Sequence, residues 1–317
     1  MRVLCLLLSL FSLNTFSQEP EFPQKGPLEI TVLFPAGSSA DVTARILADG
    51  MSRQLGQRAL VVNRPGAGGA IGYKHVASQK PDGYSLVWNS NSISTTYHSG
   101  QLPFDYTAFD AVARVLSESV VVAIRTDSPY RSLRELLDAA KRKPRSLSVG
   151  HSGIGSHTHI SLASLMSAAD AQVIEVPFGA AQVVPSLLGG HVDAVVQFPG
   201  ALAAPIMQRQ VRLLATLTQQ RDPALGNVPT ARELGYDAAL DAWRGIAVPR
   251  GTPPEVIRKL EDAIRKTVES PEFGAQAAKL GVRPAFLPAS GFSELIAKED
   301  ASLSRLMQQV GLKKSPQ

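Results

Sequence analysis

Cysteine is nearly absent from this chain of 317 residues: the single one, Cys5, falls in the N-terminal apolar stretch. A mature chain without cysteine has no disulfide, no thiol nucleophile and no cysteine-ligated metal. Aromatic residues make up 6% and charged residues 19%, and there is no low-complexity tract. Beyond the first residues no apolar run has bilayer-spanning length. Charge of one sign is never concentrated enough to suggest a polyanion partner, since the net charge of +5 is mild and Lys and Arg are scattered. The one dense run, Lys141-Arg142-Lys143-Pro144-Arg145, follows Leu136-Leu137-Asp138-Ala139-Ala140. There it reads as a solvated helix C-terminus, where cations complement the helix dipole, so no nucleic-acid partner is expected.

What is present begins with a targeting segment, residues 1–17. Arg2 supplies the positive start, Val3 to Leu13 the apolar stretch and Thr15-Phe16-Ser17 a small-x-small cleavage site. The expectation is a cleaved signal peptide and an exported, soluble, periplasmic protein. Residues 18–27 form a Pro-containing lead-in. The remaining length allows two lobes, each able to bury a core.

Short apolar runs then alternate with helical periodicity, the pattern of an α/β fold with mainly parallel strands. Strands are expected at 29–33, 59–62, 85–88, 120–124, 147–149, 172–176, 194–197, 212–216 and 246–248. Helices are expected at 41–55, 132–142, 157–168, 181–188, 254–269, 271–280 and 292–309. In the last of these, Phe292, Leu295, Ile296, Leu303 and Leu306 fall near one face.

Two strand–loop–helix units carry the chemistry. Ile30 to Leu33 leads through Phe34-Pro35 and a small-residue loop, Ala36 to Ala40, into a helix; Leu147-Ser148-Val149 leads through Gly150 to Ser156 into another. Free backbone N–H groups at a helix start suit an anion, and a loop without lysine suits a carboxylate better than a polyphosphate. If the two units lie in different lobes, their helix starts can hold a ligand across a cleft.

Catalytic patterns are incomplete. Gly150-His151-Ser152-Gly153-Ile154 lacks the last glycine of a nucleophile elbow, though an exported serine hydrolase using Ser152 with His157 or His159 stands as an alternative. Gly66-Ala67-Gly68-Gly69-Ala70-Ile71-Gly72 lacks a glycine of the dinucleotide fingerprint. His157 and His159, two apart on a helix, point to different faces, which is poor metal geometry. No enzyme, metal or cofactor is expected.

Read in order, the loops resemble one family. Phe34-Pro35-Ala36-Gly37-Ser38-Ser39-Ala40-Asp41 resembles its P-x-A-G-G-x-x-D loop, and Asn63-Arg64-Pro65-Gly66-Ala67-Gly68-Gly69-Ala70-Ile71-Gly72 its N-R-P-G-A-G-G-x-x-G signature. Pro81-Asp82-Gly83-Tyr84, Leu187-Leu188-Gly189-Gly190-His191-Val192-Asp193, Asn227-Val228-Pro229-Thr230 and Trp243 to Pro253 complete the set. This is the Bug/TctC family, the extracytoplasmic solute receptors of tripartite tricarboxylate transporters, and the resemblance spans about residues 28–312.

The resemblance implies a periplasmic-binding-protein fold of the type II-like class, with two α/β lobes and a ligand cleft between them. The chain would cross between lobes at 120–123 and 245–248, making 28–121 plus 248–317 one lobe and 122–247 the other. The implied ligand is a small carboxylate, and the implied partners are membrane permease subunits or, alternatively, a sensor kinase, with the receptor a monomer. Carried over by position, the binding residues are Phe34, Ala36, Gly37, Ser38, Ser39 and Asp41 in the first loop. Ser90 and Asn91 follow, then Ser152, Gly155, Ser156 and His157 in the second loop, and Phe178. Two departures stand out: Ser38 replaces the loop's second glycine, and no Lys or Arg follows Phe178. The second departure shifts the expected ligand towards monocarboxylates or aromatic acids.

Overall fold

Each apolar run becomes a strand and each periodic stretch a helix, and the order in which they join a sheet divides the molecule. The structure, a computed structural model, describes residues 21–179 and 181–314; the targeting segment with Cys5 and the start of the lead-in lie outside the described residues. The chain runs β1 (Leu28–Val32), α1 (Ser39–Leu55), β2 (Ala59–Asn63), α2 (Ala70–Ala77), β3 (Ser85–Ser90), α3 (Ser92–His98) and β4 (Phe109–Glu118). It then passes into β5 (Val121–Arg125), α4 (Leu133–Arg142), β6 (Ser148–His151), α5 (His157–Ala169), β7 (Ile174–Pro177), α6 (Val183–Leu188), β8 (Ala194–Gln197), α7 (Pro199–Met207) and β9 (Val211–Thr216). It returns through β10 (Ala242–Pro249), α8 (Pro254–Val268), α9 (Pro271–Lys279), β11 (Arg283–Pro288) and α10 (Ala289–Gln309).

Two sheets result, in the orders β11-β4-β10-β3-β1-β2 and β7-β6-β8-β5-β9. Both are covered on two faces, so central strands are apolar on both sides. In β5, Val122 and Ile124 pack into one cluster with Leu137, Leu165 and Val196, while Val121 and Ala123 pack into another with Leu187 and Val195. The first sheet is built the same way, with Ile30, Trp88 and Ile246 on one side and Leu33, Val87 and Trp243 on the other.

The structure corrects two expectations. The strands are not mainly parallel: β1 pairs parallel with β2 and β3, and β6 with β7 and β8. β10 runs antiparallel to β3 and β4, β11 to β4, and β5 to β8 and β9. A strand that enters a sheet from the other lobe arrives against the direction of the local strand–helix–strand units. The return crossing also lies earlier than 245–248, because all of β10 pairs within the first sheet. The chain changes sheets between Glu118 and Val121, and again between Thr216 and Ala242.

Several elements escape the periodicity for local reasons. β11 carries Pro284 and Pro288 and sits at an edge, where a missing N–H is tolerated. α7 opens on Pro199-Gly200 and contains Pro205, and α3 is built from Ser, Thr and Ile, weak helix formers.

Candidate functional site

The two strand–loop–helix units turn the same way. Gly37 (φ +80°) and Gly155 (φ +78°) each take the left-handed conformation that favours glycine, and each precedes a serine N-cap. Ser38 accepts from the amide of Asp41 and Ser156 from that of His159, both at 3.3 Å. The cap satisfies the third amide of each helix. The first two, of Ser39 and Ala40 in α1 and of His157 and Thr158 in α5, have no backbone partner among the described residues.

Both helix starts face one narrow interlobe cavity, with about 20 Å³ open to the centre of a water molecule. Eight of the expected binding residues line it: Phe34, Ser38, Ser39, Ser90, Asn91, Ser152, Ser156 and His157. Five do not. Ala36 and Gly37 are exposed and outside the lining. Asp41 is buried and turned back, accepting from the Gly37 amide (3.0 Å) and Asn63 (3.0 Å) and pairing with Arg45 (2.9 Å). Gly155 donates its amide to His159 Nδ1 (3.0 Å), away from the cavity. Phe178 packs near Gly150 and lines an adjoining groove with Phe34, Ser152 and the Gly66–Gly69 turn.

The cavity also holds residues that the motif reading missed: Gln197 at the end of β8, Phe198 and Ala201 at the start of α7, and Ala242 to Arg244 from β10. Arg244 matters most. Its side chain is 4% exposed, its Nε donates to Glu118, and the guanidinium lies 4.9 Å from the centroid of the Phe198 ring. Glu118 in turn accepts from the hydroxyl of Ser39, tying the ion pair to the first turn of α1. A cation therefore reaches the cavity although none follows Phe178. The signal was a charged residue inside β10, where all eight residues are buried.

His157 donates through Nε2 to the carbonyl of Leu240 (3.1 Å), which fixes its tautomer and leaves Nδ1 an acceptor. That Nδ1 is buried and has no partner. Burial pushes the imidazole down to about 4, so it is neutral at physiological pH. Behind the cavity, Asn91 donates to Glu299 (2.6 Å) and accepts from the Trp243 amide (3.0 Å), and the Trp243 indole also donates to Glu299.

His151, His159 and Glu175 bring ligand-type atoms within 4.8 Å of one another. The two imidazoles stack at 4.4 Å with planes 16° apart, so their in-plane lone pairs do not converge on one point. His159 Nδ1 already accepts from Gly155, so Nε2 carries the proton shared with Glu175 (3.1 Å). The cluster suits fixing the second loop better than holding an ion. A nucleophile pair is not formed either. The Ser152 hydroxyl bonds Gln197, and neither His157 nor His159 bonds it.

A model of the Tripartite tricarboxylate transporter family receptor matches residues 43–312. Protein BugT of Bordetella pertussis is 29% identical over 90% of each chain. The structure of the periplasmic binding protein BugD has a TM-score of 0.86 and 28% identity, covering 92% of this chain and 99% of its own. A TctC solute-binding protein from Polaromonas has a TM-score of 0.69 and 30% identity, covering 90% and 99%. With its two sheets and interlobe cavity, this chain belongs to the tripartite tricarboxylate transporter receptor family, whose members are periplasmic binding proteins.

Proposed function

We propose that this protein captures a small carboxylate between its lobes and delivers it to the membrane permease of a tripartite transporter. One observation carries the reading: four unpaired amides, two from each of two helix starts, border a single cavity. A carboxylate there accepts hydrogen bonds worth about 1.5–3 kcal/mol each, and each helix dipole adds about 0.3–1 kcal/mol. Several such contacts support micromolar binding, about −8 kcal/mol. Because each lobe supplies half of the seat, ligand favours the arrangement in which both halves meet, and that arrangement is what a membrane partner reads.

A thermal-shift and calorimetry screen of carboxylates, with their amides as controls, tests the capture. Ligand at 100 times Kd is expected to stabilise the protein by about 2.7 kcal/mol. Turnover of an ester that disappears in Ser152→Ala, with no carboxylate raising the melting temperature, would overturn the reading in favour of a hydrolase. Delivery is tested by uptake of the bound acid into cells that carry the permease, with and without this protein.

A further inference from the structure

An ionised carboxylate only accepts hydrogen bonds, yet the seat holds an acceptor as well as donors. His157 opens α5, and its amide is one of the four without a backbone partner among the described residues. The same residue carries a buried Nδ1 that accepts from no group. It is 4% exposed and lines the cavity. Amide and imidazole share one residue, so Nδ1 lies beside the place where a carboxylate oxygen meets that amide. Hydroxyls nearby are already engaged: Ser39 with Glu118, Ser152 with Gln197 and Ser156 with Thr158. An enclosed acceptor without a partner is costly, and a carboxylate alone leaves that cost in place.

Arg244 adds the second half of the constraint. Its guanidinium and the His157 ring both pack on Phe198, at 4.9 Å and 6.0 Å from that ring's centroid. The two are close enough that the guanidinium charge, after burial, helps to hold the imidazole neutral. Nε is taken by Glu118, which also holds Ser39, so the guanidinium is anchored to the other helix start. Among the described residues no hydrogen bond uses the Nη donors, and Arg244 lines the cavity. A substituent next to the carboxylate is therefore offered one acceptor and free donors. A hydroxyl satisfies both kinds. A keto oxygen has no proton for Nδ1. An ammonium has no lone pair for Nη and sets a second cation beside the guanidinium.

We propose that the seat is built for a 2-hydroxy acid, with the carboxylate on the two helix starts and the hydroxyl of the adjacent carbon between His157 Nδ1 and the Arg244 guanidinium. The inference rests on the carboxylate reading above, and the test separates the two. Matched acids that differ only at the second carbon are compared by calorimetry, beginning with both enantiomers of lactate, propionate, pyruvate and alanine. The same substituents are then placed on longer and aromatic acids, and the ranking is read on whichever scaffold binds most tightly. The better 2-hydroxy enantiomer is expected to bind about ten-fold tighter than the unsubstituted, 2-oxo and 2-amino members, a difference of about 1.4 kcal/mol. In His157→Phe, which keeps a ring on Phe198 but removes Nδ1, the ratio of hydroxy to unsubstituted acid is expected to fall to near one. Any of the other three members binding as tightly as the 2-hydroxy acid overturns the inference while the carboxylate reading stands. An undiminished ratio in folded His157→Phe does the same. Failure of every carboxylate on every scaffold overturns both.

Discussion

Gly37, expected to contact ligand, does not line the cavity and shapes the backbone of its loop. Its φ of +80° sets up the Ser38 cap, and a Cβ built on it meets nothing within 4 Å. Bulk there strains the chain and meets no neighbouring atom. Gly37→Ala is therefore expected to cost about 1–2 kcal/mol of stability, the usual penalty for a left-handed L-residue. The loss is read in a urea melt, while the affinity of the folded variant changes less than ten-fold by calorimetry. A stable variant that no longer binds would restore the contact role. Ser38 and Ser39 are equally instructive. A Gly/Ser loop before a helix already says that amides are presented, so the helix starts were legible. That the Ser39 hydroxyl serves Glu118, and Ser38 its own helix cap, depends on partners three to 79 residues away. Arg244 was hidden for the same reason: a motif states which residues recur, and only the fold states which of them face the cavity.

At the scale of elements, caps and amphipathic faces were readable because they are local. α4 starts where Ser132 caps the amide of Glu135, and α1 stops at the left-handed Gly56. β4 was not readable as an interior strand, since its Asp110 and Arg114 are satisfied by partners far along the chain, Arg250 and the carbonyl of Ala285. α10 carries a pH dependence that the sequence conceals altogether. Glu299 is pushed up to about 7, mainly by burial, against a usual value of 4.5. A raised carboxyl gives stability that is fully present below pH 4.5 and lost as the pH rises through 7. The shift is worth at most about 3 kcal/mol. His151 and His157, both held at about 4, act oppositely: their contribution is present above pH 6.5 and lost as the pH falls through 4. Urea denaturation of wild type is expected to show stability rising between pH 5 and 6.5, where the two histidines outweigh Glu299, and Glu299→Gln is expected to steepen that rise. An unchanged slope in Glu299→Gln would assign the pH dependence elsewhere.

For the whole molecule, the decisive contacts are those that join the lobes. Gln101 reaches the carbonyl of Ile154 (3.1 Å), and a Cβ on Gly68 would stand 3.0 Å from the same oxygen. Gly200, in the first turn of α7, faces Ser39 of α1, with its built Cβ 3.0 Å from the hydroxyl oxygen. Gly200 has ordinary helical backbone, so a side chain there adds no conformational strain and acts only on the approach of the two helices. Gly200→Val is expected to keep wild-type stability within about 1 kcal/mol. It should lower ligand affinity at least ten-fold by calorimetry and shift small-angle scattering towards a more open shape. Tight binding by Gly200→Val would show that α7 and α1 need not meet. On the far side, Leu303 and Met307 of α10 pack with Ile160 of α5, so the last helix of the first lobe rests on the helix whose start forms half of the seat. The α/β class was evident from alternation and the two lobes from the family resemblance, but such seams join residues distant in sequence and leave no periodic trace.

That division of the seat has a temporal side. On the proposed function, a carboxylate held by two amides from α1 and two from α5 is expected not to exchange piecemeal, because neither pair alone releases it while the helices stay apposed. Departure then waits on separation of α1 from α5, and residence time becomes a property of the seam. On that proposal the contacts of Gly200 with Ser39 and of Gln101 with Ile154 are expected to set how long a bound acid stays, whatever its abundance outside.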